Sequence, residues 1–345
     1  MSDGDQRAAG APSPPEAAAP GEGAAGPGAG QGVGRGRPGG RRAGDRPAVT
    51  GMVNVAKPAG LTSFQVVRVV RRAFDERHVG HAGTLDPVAT GVLPLCLGRA
   101  TRLVEYLLSE PKTYHAVIRL GERSDTGDLE GTVTAGASAL ALRAAAVEAA
   151  LATFVGRIEQ VPPMHSAVRH GGRHLYELAR AGVEVERQAR PVDIHRVALL
   201  GFRPGPVAEA EVEVECGRGT YLRVLAADLG ERLGTGGVLG WLERTAYGPF
   251  RLADAVPLAQ LEAAPDPFVH LLPPESAVAS LPRVDLLPAG AMAVRRGQGA
   301  WLNRPAQLAA GTTVRAHALD GRLLAVGEVH GGHFRPLKVL APLGG

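Results

Sequence analysis

Gly80-His81-Ala82-Gly83-Thr84-Leu85-Asp86-Pro87-Val88-Ala89-Thr90-Gly91-Val92-Leu93-Pro94 is the stretch on which the reading of this chain turns. Three glycines, a histidine and one aspartate between Leu85 and Pro87 lead into an apolar run. Pro87 locks its own φ and confines Asp86 to extended or turn geometry. Gly80, Gly83 and Gly91 permit positive φ or close backbone approach. Such a loop holds a carboxylate in one place, which covalent or acid–base catalysis requires. An isolated Asp-Pro turn more often carries a purely structural carboxylate, so the loop has to be weighed with the segments around it.

Outward from this loop stand Lys57-Pro58-Ala59-Gly60-Leu61-Thr62-Ser63 on one side and Lys112-Thr113-Tyr114, running to Leu120-Gly121, on the other. Pro162-Pro163-Met164-His165-Ser166-Ala167, Leu175-Tyr176-Glu177-Leu178-Ala179-Arg180 and Cys216-Gly217-Arg218-Gly219-Thr220-Tyr221-Leu222-Arg223 follow. In this order the motifs resemble those of the TruB-type tRNA pseudouridine synthases, which isomerise uridine 55 in the T loop. The resemblance covers about residues 50–255; residues 1–47 have no counterpart, and the C-terminal quarter matches loosely.

The resemblance implies a catalytic set of Asp86, Tyr114 and Arg223. Asp86 is the nucleophile or base, attacking C1′ or removing the 2′ proton, and either role wants it ionised. Arg223 is its cationic partner, which favours the charged form. Tyr114 stacks on the target base and helps remove the C5 proton. His81 fills the gap left by the extruded nucleotide, because a stacked uridine has to be flipped out at a cost of a few kcal/mol. Lys57, Arg173, Tyr176 and Arg180 complete the implied tRNA contacts, with loop support as a second reading for Lys57. Taken residue by residue, plainer readings stay open: a core tyrosine, a helix-surface arginine, a loop-stabilising histidine and solvated basic faces.

Isomerisation imports no group and oxidises nothing, so no cofactor is expected. No metal-spaced Cys/His/Asp cluster or phosphate loop is evident, and Gly171-Gly172 separates His170 from His174, which spoils a helical ligand pair. The expected partner is the tRNA T stem-loop; no protein partner is required, and a monomer is expected.

The 345 residues carry 38 basic and 34 acidic side chains, and a pI near 9.4 agrees with a polyanionic partner without dictating one. No apolar run is long enough to span a membrane, and the N-terminus lacks a basic-then-apolar signal pattern. Cys96 and Cys216 form no CxxC, which fits a reducing cytoplasm. Residues 1–47 are glycine-rich and hold no aromatic residue, so they are expected to be disordered. Their Gly21-Glu22-Gly23-Ala24-Ala25-Gly26 satisfies GxGxxG, but no strand precedes it and no amphipathic helix follows.

In the folded part the spacing predicts strands over 52–56, 92–97, 114–120 and 209–216. Helices are expected from Thr62 or Ser63, over 100–108, 138–155 and 175–181, and from Thr220 to Leu233. Pro162-Pro163 and Gly171-Gly172 bracket an expected strand ending in a hairpin. Short strands over 314–318, 323–329 and 335–339 suggest a small β module, which the resemblance makes PUA-like. The expected organisation is a tail (1–47), an α+β mixed-sheet catalytic domain (48–278), in which the resemblance makes Pro162–Ala167 and Leu175–Arg180 an RNA-binding insertion, and a C-terminal module (279–345). Two rivals remain: a ribosyl–base glycosidase, which needs a second opposed acid where the loop offers only Asp86, and a catalytically silent RNA-binding or tRNA-folding protein.

Overall fold

The computed structural model of the chain describes residues 49–302 and 308–340. The expected tail and its GxGxxG lie outside these residues. The alternation from Tyr114 to Leu120 is realised in the strand Lys112–Leu120, in which every second residue is buried. Its partner on one side is Ala208–Cys216, which alternates in the same way, with its valines inward and its glutamates outward. On the other side runs Gly237–Tyr247, a strand that sequence reading did not find. That strand pairs parallel with Thr90–Leu97 and antiparallel with Lys112–Leu120, so it joins the two halves of a 10-stranded mixed sheet. Eight strands follow in the order Val256–Pro257, Gly51–Lys57, Thr90–Leu97, Gly237–Tyr247, Lys112–Leu120, Ala208–Cys216, Arg190–Arg203 and Gly156–Gln160, and the other two, Val79–His81 and Phe250–Arg251, pair with Thr90–Leu97 and Gly237–Tyr247. The mixed α+β architecture expected from the sequence is the one observed.

Helices Leu222–Arg232 and Ala144–Ala152 cover one part of the sheet, packing Leu225, Leu229, Val147 and Leu151 onto Ile118, Val212 and Val214. Glycine makes the first of these contacts close. A Cβ at Gly230 would lie 2.0 Å from the Gly236 carbonyl carbon, and one at Gly237 would lie 2.1 Å from the Ala226 oxygen. The backbone of the helix therefore rests on the strand, which carries Arg223 down to the sheet. The helix Ser63–Phe74 has Thr62 as its N-cap and Gln65 closing a capping box. It buries Val66, Val67, Val70 and Phe74 and leaves Arg68 and Arg72 exposed.

Four elements differ from expectation. The alanine-rich helix spans only Ala144–Ala152, because buried Ala139 gives its N–H to Pro206 O at 2.9 Å and the chain turns through the residues that follow. The 100–108 segment divides into a 3₁₀ turn, Gly98–Leu103, and a short α-helix, Val104–Leu108. The late arginine helix begins at Leu222 rather than Thr220. Residues 161–168 form no strand; the hairpin is only Arg169–His170 against Arg173–His174, turned by Gly171 and Gly172 at φ 55° and 85°.

Toward the C-terminus a second, 5-stranded sheet forms from Arg283–Leu286, Thr312–Ala318, Leu323–His330, His333–Val339 and Ala300–Trp301. The strand His333–Val339 is fastened to the 98–108 segment, where Arg102 donates to Val339 O at 2.9 Å and Lys338 pairs with Glu105. Among the described residues no helix is long and apolar enough to cross a membrane.

Candidate active site

Asp86 occupies the first position of a four-residue turn, in which Ala89 N–H donates to Asp86 O at 3.1 Å and Pro87 supplies the second position. The Lys57–Ser63 segment acts as a cradle for this turn. Ser63 Oγ donates to Leu85 O and accepts from Leu85 N–H, and Gly60 N–H donates to Pro87 O at 2.8 Å. Lys57 Nζ donates to Pro58 O, Pro87 O and Ala89 O at 2.9, 3.1 and 2.6 Å. With 1% of its surface exposed and its donors directed at these carbonyls, Lys57 is a loop support. This corrects its assignment as a tRNA contact: the ammonium is enclosed by protein. Gly83 and Gly91 take the positive φ expected of them, at 67° and 104°. Gly80 does not, and a Cβ there would meet nothing closer than 3.9 Å.

Arg223 reaches this loop from the N-terminus of its helix. Its Nη2 lies 3.1 Å from Asp86 Oδ2 and donates to His165 O at 2.8 Å, while Nη1 donates to Thr126 O at 3.2 Å. Its Nε lies 3.5 Å from Asp128 Oδ2. Only 6% of the Arg223 side chain is exposed, which eliminates the helix-surface reading. The Asp86 carboxylate stays 39% exposed, so the pair opens to solvent on the aspartate side. Burial pushes the Asp86 carboxyl above the ordinary 3.8; the Arg223 charge opposes this and Asp128 reinforces it. The cation thus limits a rise that desolvation imposes, where the sequence reading expected a simple lowering.

Asp128 was missed. It is buried, and its Oδ1 accepts from Thr126 Oγ1 at 2.5 Å and from Glu130 N–H at 3.1 Å. Asp125-Thr126-Gly127-Asp128 reads in sequence as an ordinary polar turn, with no local sign of contact with Arg223, which lies 95 positions after Asp128 in the numbering. Asp128 is the second carboxylate that a glycosidase would need. Both of its oxygens are engaged inside the protein, however, so it offers no face to a leaving group.

Tyr114 is buried on the central strand, and desolvation pushes its hydroxyl upward, with the nearby Arg244 charge opposing this. Arg244 is the other residue that sequence reading missed; its strand carries no regular alternation. His81 is half-buried with Nδ1 unpartnered, and burial together with Arg244 pushes its imidazole below the usual value, which keeps it neutral at neutral pH.

Arg173 and Arg180 are exposed on the insertion, and Tyr176 lies between His174 and Arg180. The His174 and Tyr176 rings stack at 5.2 Å, and the Arg180 guanidinium sits 5.6 Å from the Tyr176 ring centroid. This is a basic, aromatic surface of the kind that meets unstacked bases and phosphates. Among the described residues no group of three or more metal-ligating side chains converges.

The buried lysines allow a test of the cradle. Burial pushes Lys57 and Lys112 from 10.5 down to about 8. Between these values the folded chain binds fewer protons than the unfolded one. Each lysine therefore contributes stability that is fully present above the unfolded value and lost as pH falls through the folded one. Lys57→Met should flatten the rise of unfolding free energy between pH 8 and 10 by up to one proton, roughly 1.4 kcal/mol per pH unit. Urea unfolding at three pH values measures this; an unchanged slope would mean that Lys57 carries no such shift.

The chain shares its fold with a chain in the crystal structure of a Cbf5-Nop10-Gar1 complex, at TM-score 0.66 and 27% identity over 85% of each chain. A structure of an H/ACA RNP bound to a substrate RNA containing 2′-deoxyuridine is similar at TM-score 0.65 and 25% identity, again over 85% of each chain. The sequence profile described as TruB family pseudouridylate synthase (N terminal domain) matches residues 71–222, from before the Asp86 loop to the residue preceding Arg223. These likenesses define the class as pseudouridylate synthase. The tRNA pseudouridine synthase B of Symbiobacterium thermophilum is 51% identical over 72% of this chain and 82% of its own length. That of Aromatoleum aromaticum is 44% identical over 86% and 94%. The chain belongs to the TruB family.

Proposed function

We propose that this protein isomerises uridine to pseudouridine in tRNA, at position 55 of the T loop, with Asp86, Tyr114 and Arg223 as the reacting set. The observation that carries the reading is the Asp86–Arg223 pair: a solvent-open carboxylate held by an arginine that is itself buried and fixed by two backbone carbonyls and Asp128.

In the attack route, an Asp86 oxygen forms a bond to C1′ as the C1′–N1 pair departs onto the uracil. The freed base turns, C5 takes C1′ back, and the carboxylate leaves. The proton lost from C5 is balanced by the one gained at N1, so the RNA mass is unchanged. In the glycal route Asp86 instead takes the 2′ proton and returns it. Both routes begin from the ionised carboxylate, which Arg223 favours against the desolvation of its surroundings. Tyr114, buried beside the loop, stacks on the base and assists at C5, and neutral His81 enters the space of the extruded nucleotide. Arg173, Tyr176 and Arg180 grip the stem-loop.

Reverse-transcription mapping of pseudouridine in tRNA, from cells with and without the protein, tests this reading. Loss of the position-55 signal is expected. Its persistence would refute the reading, and release of free uracil from purified substrate would favour a glycosidase.

A further inference from the structure

Arg244 is the largest fully buried side chain of the described residues, with 1% of its surface exposed, and the proposed reaction gives it no part. A buried guanidinium is costly unless its donors are satisfied and its charge is answered. Arg244 Nε donates to Val92 O at 2.7 Å and Nη2 donates to Gly83 O at 3.1 Å. These carbonyls lie on either side of Asp86, one before it and one after. The guanidinium also lies 4.9 Å from the Tyr247 ring centroid. That ring is the floor beneath the loop, since a Cβ at Gly83 would come within 3.0 Å of Tyr247 Cε1.

On the Gly237–Tyr247 strand, Arg244 stands opposite Gly91 in the parallel pairing and opposite Tyr114 in the antiparallel one. Gly91 has to be glycine for this approach, because a Cβ there would fall 2.2 Å from Arg244 O. One residue therefore contacts the Asp86 loop at both shoulders and is the cross-strand neighbour of Tyr114.

We propose that Arg244 is a positioning residue: its forked donors fix the loop carrying Asp86 in register with Tyr114, so that carboxylate and phenol meet the same uridine. The Arg244 charge also favours the ionised form of the Tyr114 hydroxyl against its burial. This inference rests on the pseudouridine synthase reading above.

The test compares Arg244→Lys and Arg244→Gln with the parent chain on tRNA tritiated at uridine C5, under single-turnover conditions at saturating protein. Kd and thermal midpoint are measured alongside. Lysine keeps the charge but lacks the rigid fork, so a drop of about 10-fold in rate is expected for Arg244→Lys, and of about 30-fold for Arg244→Gln, with Kd within about 3-fold. If Arg244 acts by aligning the loop with Tyr114, Arg244→Lys should cost less than additively in a Tyr114→Phe background. A core strut would lower the thermal midpoint while leaving the rate of the folded fraction at the parental value, and that result overturns the proposal. So does strict additivity with Tyr114→Phe, or an Arg244→Lys chain that does not fold. If the parent chain itself releases no tritium, the enzymatic reading fails first, an outcome distinct from parent-like Arg244 variants.

Discussion

Asp86→Asn should abolish turnover, by roughly 10⁴-fold or more, while tRNA binding persists. Asparagine keeps the shape of the side chain and can still accept from Arg223. It removes the charge and with it the nucleophile or base. The fold should survive, because the turn is held by backbone atoms of Leu85, Asp86, Pro87 and Ala89 and not by the carboxylate. Arg223 would still be answered by Asp128. Tritium release under single-turnover conditions, beside a filter-binding Kd, separates the two effects. Substantial turnover in Asp86→Asn would remove Asp86 from the chemistry.

Arg223→Ala should be the second most damaging change, lowering the single-turnover rate at saturating tRNA by about 10²–10³-fold. Its loss leaves Asp86 and Asp128 without their shared cation. The Asp86 carboxyl already titrates above its ordinary value, and removing a charge that opposes the rise raises it further. The acid limb of the pH–rate profile should therefore move to higher pH, and part of the lost rate should return as pH is raised. Arg173→Ala and Arg180→Ala should do the opposite: raise Kd, reduce the log–log salt slope by roughly one or less, and leave the rate at saturation near normal. Binding at several salt concentrations beside single-turnover rates tests both halves. Normal turnover of Arg223→Ala at saturation would end its catalytic assignment.

What could be read in the sequence was what local chemistry dictates. Alternation marked the Tyr114 and Glu209–Cys216 strands, Thr62 marked a helix start, and Pro87 with Gly83 and Gly91 marked a fixed loop. What could not be read depends on contacts distant in sequence. The Gly237–Tyr247 strand carries Trp241, Glu243, Arg244 and Thr245 in no clean period, because its pairing with Lys112–Leu120 slips between Leu239 and Trp241 and again between Arg244 and Ala246. Arg244 and Asp128 look like surface charges until the pairing puts one against Gly83 and Val92 and the other against Arg223. Lys57 stayed open between two readings for the same reason. The resemblance implied a tRNA contact with loop support as the other reading, and the folded chain decides for loop support by bringing three carbonyls onto the ammonium. The alanine-rich segment shows the converse: intrinsic helix propensity over 138–143 yields to the burial of Ala139 against Pro206.

The bond from Arg223 Nη2 to His165 O joins the root of the insertion to the guanidinium that holds Asp86. A shift of that root on RNA binding would reach the carboxylate through this one guanidinium. Thermodynamic linkage makes such a connection symmetric. To the extent that bound RNA favours one arrangement of this joint, the arrangement favours bound RNA by the same free energy. Arg223 is thus a side chain at which recognition and reactivity would meet, while Arg173 and Arg180 bear on affinity alone.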